Sequence, residues 1–360
     1  MKLKIYKSYI LKSYLSYLLI VTFIFFMLIC FLNILEELIF LEKFNISIGY
    51  PILLTFLNSP SVLFEIFPFI FLISSQLFFI NLYDKEELNL LKAIGIDNLS
   101  LIKLITIITF AIGIFITFFF YTFSSNLKHN YLTIKNKFSN DNKYLAAIND
   151  NGLWIKDEVE DNIYIINADE FKNKKIKKIT INKLNKNFDL KSIIISDEAD
   201  IENNEWKLNN VEVYFDDGKK ESFDKLIINT NFNREKLNNI FSNLTSLNII
   251  QLISLSEDYK KLGLSSIEIN SHLYKLFLFP IFISIMACIG SIIMLSFNYK
   301  KSKFFNLSVG IIISVIIYYI NYFFNLLGTT EKTSVVLSTS APLIVLILFS
   351  SILLVKVNDK

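Results

Sequence analysis

The chain has 360 residues, of which 53% are hydrophobic and 35 are phenylalanine, and its mean hydropathy is +0.46. So apolar a composition, with only 19% charged residues, excludes an ordinary soluble domain and points to an integral membrane protein. The formal net charge of +3 gives no basis for nucleic-acid binding, and Cys30, Cys288, His129 and His272 show neither metal-ligand nor disulfide-framework spacing.

Residues 1–14 interleave Lys2, Lys4, Lys7 and Lys12 with apolar residues, and an apolar run over about 15–35 follows. That run is too long for a signal h-region and lacks a small-residue cleavage site, so it reads as the first spanning helix. Glu36, Glu37, Glu42 and Lys43 mark its far end. The second apolar run, 51–82, exceeds one crossing. Its first part, 50–59, is expected along the outer surface and the helix proper over about 61–82, kinked at Pro68. Glu65 is placed at the outer interface or in a functional role, the interface being favoured.

The stretch LYDKEELNLLKAIGI, residues 82–96, follows. Leu88, Leu91 and Ile94 recur at helical spacing, Asp84, Lys85, Glu86, Glu87 and Lys92 supply a polar face, and Gly95 is a natural C-terminal stop. This is a short amphipathic helix over about 83–96, either a docking surface for a partner or a plain interfacial connection. A third spanning helix is expected over about 99–123.

From residue 125 to about 270 no run is long enough to span. Short alternating segments at 153–156, 162–166, 178–181, 190–195, 205–215 and 225–229 are separated by turn signals such as Asn151-Gly152 and Asp217-Gly218. An all-β sandwich, barrel or jelly roll is expected, with a helix over about 246–263 leading back to the membrane. Residues 271–360 carry helices four to six over about 273–297, 304–327 and 335–355, with Pro280 inside the fourth. The expected architecture is therefore three spanning helices in 1–124, a β domain in 125–270, and three more spanning helices.

Lysine placement sets the orientation. With the N-terminus in the cytoplasm, the inner segments carry Lys2, Lys4, Lys7, Lys12, Lys85, Lys92, Lys103, Lys300, Lys301, Lys303, Lys356 and Lys360, whereas the short outer loops carry only Lys43 and Lys332. Both termini and the 83–96 helix are then cytoplasmic, and the β domain lies outside. No G-x-x-x-x-G-K-[ST], H-E-x-x-H or G-x-S-x-G motif occurs, so an enzyme is not expected and the chain holds no ATP through a P-loop of its own.

Leu57-Asn58-Ser59-Pro60, then Phe67-Pro68, then Glu86-Glu87-Leu88 and Lys92-Ala93-Ile94-Gly95-Ile96 resemble the LptF/LptG (YjgP/YjgQ) family of lipopolysaccharide export permeases. The resemblance covers essentially the whole chain and is strongest over residues 60–96. It implies six spanning helices with a periplasmic β-jellyroll between the third and fourth, which is the layout read above. Asn151 to Asp157, Ile163-Tyr164-Ile165, and Tyr259, Leu262, Gly263, Lys275 and Pro280 are more similar to the LptG branch, with LptF the alternative.

The resemblance implies a heterodimer with an LptF-type permease, a dimeric cytosolic ATPase of LptB type, and periplasmic bridge proteins of LptC and LptA type. No cofactor is implied in this chain, ATP and Mg being used by the ATPase. Glu87 would be the principal ATPase contact, supported by Glu86, Leu88, Lys92 and Gly95. Lipopolysaccharide would be drawn from the outer leaflet of the inner membrane, its phosphates met by Lys43, Lys128, His129, Lys275 and Lys332. The chain departs from the LptG pattern along the outer half of helix one, where Asn33, Glu36, Glu37, Ile39 and Phe40 leave Lys43 alone. A membrane-anchored periplasmic scaffold or sensor is the alternative outside transport.

Overall fold

The computed structural model describes residues 2–41, 47, 49–138, 153–159, 162–172, 175–186, 188–216, 218–231, 243–261, 265–296 and 303–358. Among these, six helices are long and apolar enough to cross a membrane. The chain divides into two compact units, one formed by Met1–Tyr131 with Ile267–Lys360 and the other by Leu132–Ser266.

In the helical unit, α1 runs over Lys2–Leu41 and α2 over Gly49–Asp84. At 1.5 Å per residue each is well over the roughly 30 Å of a hydrocarbon core, so both extend beyond it. The surface segment expected at 50–59 is instead the first part of α2, which stays helical through Pro60 and Pro68. Packing accounts for the difference. Pro51 sits in the first turn, where a missing N–H costs nothing, and Leu54, Asn58 and both inner prolines are buried. The Thr55 and Ser59 hydroxyls donate back to the carbonyls of Pro51 and Thr55 at 2.8 and 2.7 Å, so neither hydroxyl is left unpaired in the buried face. Asn33 of α1 donates to Ser59 Oγ at 3.1 Å, closing the polar seam between the helices.

After the short α3 (Glu87–Ala93), α4 covers Asn98–Phe115, a π-helical turn covers Ile116–Phe120, and α5 covers Tyr121–Phe138. Asp97 caps α4 by accepting from the Ser100 N–H at 3.1 Å. The third span thus continues well past the residue 123 expected from hydropathy. On the far side of the sequence come α7 (Ile267–Ser296), α8 (Lys303–Thr329) and α9 (Val335–Asn358). The centre of the bundle is α2 against α7. Gly290 permits that contact, because a Cβ there would lie 2.5 Å from the Leu72 carbonyl oxygen. By contrast α1, α8 and α9 leave much apolar surface uncovered, including Phe23, Met27, Phe31, Ile312, Tyr319 and Phe323. In a membrane that is surface for lipid or for another membrane protein.

The second unit holds the expected inserted all-β domain: β1 (Leu153–Val159), β2 (Asn162–Lys172), β3 (Lys175–Asn185), β4 (Leu190–Asp200), β5 (Glu205–Phe215) and β6 (Lys220–Asn229). They form one antiparallel sheet in sequence order, a meander. Its register aligns Ile166, Ile181, Ile194 and Val213 across four strands, and all four are buried. The sheet curls. Asp157 on β1, at one edge, accepts from the backbone N–H and the Nδ2 of Asn231, just past β6 at the other edge, at 2.9 and 2.8 Å. The Asp217-Gly218 turn signal is met by Gly218 at φ +78°, while Asn151-Gly152 lies outside the described residues. The return helix α6 (Ile249–Lys261) starts with a reciprocal cap between Asn248 and Gln251, both bonds at 2.9 Å.

Candidate functional site

Two clusters in the helical unit carry polar chemistry, near opposite ends of α2. The first surrounds α3. Glu86 occupies the left-handed region at φ 57°, which turns the chain sharply between α2 and α3 at a cost of about 1–2 kcal/mol for a non-glycine residue. The other end of α3 is a Schellman closure. Ile96 N–H bonds the Leu91 carbonyl and Gly95 N–H the Lys92 carbonyl, both at 3.0 Å, with Gly95 at φ +85°.

That closure corrects the expected face. The periodicity groups Ile94 with Leu88 and Leu91, yet Ile94 is 70% exposed, because the chain reverses at Gly95 and Ile96 takes the inward place beside Leu91. Leu88 and Leu91 anchor α3, whereas Leu90, 65% exposed, and Ile94 project from it one turn apart. Two polar links hold the element. Asp84, the last residue of α2, pairs with Lys303 at the start of α8. The Tyr9 hydroxyl of α1 lies 2.7 and 2.8 Å from the two carboxylate oxygens of Glu87. Of the residues expected to contact a partner, Glu86, Lys92 and Gly95 are exposed, Glu87 is half-buried against Tyr9, and Leu88 faces inward.

The second cluster joins α1, α2, α5 and α7. Lys128 donates to Asn58 Oδ1 and stands 4.7 Å over the Tyr131 ring, whose hydroxyl donates to Glu37 at 2.8 Å. Glu65 is within electrostatic reach of both Lys128 and Lys275, and His272 shares a 2.9 Å hydrogen bond with the Tyr121 hydroxyl. Counted at 1.5 Å per residue, Glu65 is about 28 Å from Asp84 along α2, and Lys275 is about 31 Å from Ser296 along α7. Each is roughly one hydrocarbon thickness from the α3 end, which puts the cluster at a boundary and not at mid-membrane.

Of the five cations and potential cations expected to meet phosphate, the structure brings together Lys128 and Lys275. His129 is exposed beside Lys128, and Lys332 is exposed in the turn after α8. Lys43 lies outside the described residues. Glu37, read from sequence as a marker of a helix end, is 1% exposed and built into this cluster. Nothing in the local sequence signals that, since its partner Tyr131 is on another helix. Tyr9 was missed for the same reason. Among the described residues there is no group of three or more His, Cys, Asp or Glu able to hold a metal ion.

The family model described as lipopolysaccharide export system permease LptF/LptG matches residues 8–356. No curated protein matches the chain.

Proposed function

Because the chain belongs to the lipopolysaccharide export system permease LptF/LptG family, we propose that it is the LptG-type permease subunit of an ABC transporter drawing lipopolysaccharide from the outer leaflet of the inner membrane. The observation that carries the proposal is α3. It is an anchored seven-residue helix that presents two apolar side chains, Leu90 and Ile94, beside the carboxylate of Glu87. Such a face suits a groove with an apolar floor and a cationic rim on a separate cytosolic ATPase of LptB type. Lysine asymmetry supports the cytoplasmic side for α3 and both termini, and the periplasm for the β domain.

The boundary cluster then lies at the outer leaflet. Lys128 and Lys275 are its cations for lipid phosphate, with His129, Lys332 and Lys43 as further candidates, while the uncovered apolar faces of α1 and α8 suit acyl chains and an LptF-type partner. Acyl chains would pass from there by way of the β domain towards bridge proteins of LptC and LptA type. The LptG assignment rests on the 151–157 and 259–280 sequence features. ATP and Mg belong to the ATPase, and no catalytic residue is assigned here.

Glu87→Lys tests the reading. It reverses the charge at the docking face without touching the buried anchors, so membrane insertion persists while lipid-stimulated ATP hydrolysis and export are lost. Normal export by that variant refutes the assignment of α3.

A further inference from the structure

The contact between Tyr9 and Glu87 goes beyond docking as such. One hydroxyl proton is shared between both carboxylate oxygens, at 2.7 and 2.8 Å, so the hydroxyl sits on the bisector of the carboxylate. That is the position a forked guanidinium or an ammonium takes when it engages both oxygens. A cation on the ATPase and the Tyr9 hydroxyl therefore cannot both hold this face of Glu87. The two residues are 78 apart in sequence and belong to different elements, and Tyr9 is 44% exposed, so the hydroxyl can leave without opening a core. The neighbouring inward side chain of α1, Ile10, is fully buried and remains to guide its return.

We propose that Tyr9 is a positioning residue for energy coupling: it holds Glu87 in the undocked permease and is exchanged for a cation of the ATPase, so that docking frees the cytoplasmic end of α1. This rests on α3 being the docking element. The exchange gives α1, whose outward face carries Leu19, Phe23, Met27 and Phe31, a state that depends on the ATPase. The Asp84–Lys303 pair leaves α8 tied to α2 through the same event, which makes the α1 link the one that switches.

The experiment measures the affinity of the ATPase that co-purifies with this permease for the nanodisc-embedded complex carrying Tyr9→Phe, Glu87→Ala, or both. Tyr9→Phe keeps the ring and removes only the hydroxyl, so the competitor is gone and binding tightens, by roughly 2- to 10-fold for one solvent-exposed hydrogen bond. In the Glu87→Ala background the same change does nothing, a result that general loosening of α1 would not give. Unchanged or weaker binding by Tyr9→Phe overturns the exchange while leaving docking intact. Undiminished binding by Glu87→Ala overturns the docking reading itself, and the exchange with it.

Discussion

Truncating the two projecting side chains of α3, Leu90→Ala with Ile94→Ala, separates docking from folding. Each substitution removes three carbons, worth about 0.8 kcal/mol per buried methylene. Scaled to the 65% and 70% of each side chain that is available for burial, this comes to about 1.6 kcal/mol apiece and roughly 3 kcal/mol together. At about 1.4 kcal/mol per decade, the Kd for the ATPase rises somewhat over a hundredfold. The permease itself is not weakened, since alanine is the better helix former and neither side chain belongs to the core. The assay is ATPase binding to nanodisc-embedded permease complex, with thermal unfolding of the same samples as control. A change under threefold, or a lower melting temperature accounting for the loss, refutes the reasoning that these two residues form the docking ridge.

Three further outcomes follow from the geometry. Gly290→Val drives side-chain carbon into the Leu72 carbonyl at the α2–α7 crossing, where even a Cβ would lie at 2.5 Å, and costs about 1–3 kcal/mol or more, read as a lowered melting temperature in detergent. Asp157→Ala removes two hydrogen bonds from Asn231 to a buried carboxylate and lowers the stability of the β unit by about 1–3 kcal/mol, visible as faster amide exchange along β1. Asp97 caps α4, and the hydrogen bond from Ser100 holds its carboxyl below the usual carboxylate range. Its charged form is therefore the stabilising one. The contribution, about 1 kcal/mol at most for so exposed a cap, is complete above the ordinary carboxylate pKa of about 3.9 and is lost as pH falls through the depressed value. Asp97→Asn keeps a cap and removes this acid-side dependence from the unfolding curve.

The six spans are legible in sequence because lipid forces long apolar runs on any helix that crosses it. Gly95 as the stop of α3 is legible too, since only a residue tolerant of φ +85° suits the closure. The rotation of α3 is not. Leu88, Leu90, Leu91 and Ile94 fit more than one face of so short a helix, and the choice is made where Ile96 packs after the chain reverses. Proline misleads at 51–60, because a helix held by burial against its neighbours continues through Pro60 where an exposed one would end. The π-helical turn at Ile116–Phe120 carries no compositional mark. Both polar clusters depend on partners from distant elements, Tyr9 with Glu87 and Glu37 with Tyr131, and periodicity within one element cannot show either.

The central claim is that this permease works through a separate ATPase and carries a phosphorylated lipid. Purification of the tagged protein from its native membranes in mild detergent, with mass spectrometry of everything retained, tests it most directly. The account predicts a cytosolic ABC ATPase, a second permease of similar length and bound glycolipid, with the ATPase lost from Glu87→Lys preparations. Recovery of the chain alone, or with periplasmic partners and no ATPase across several detergents, would contradict it.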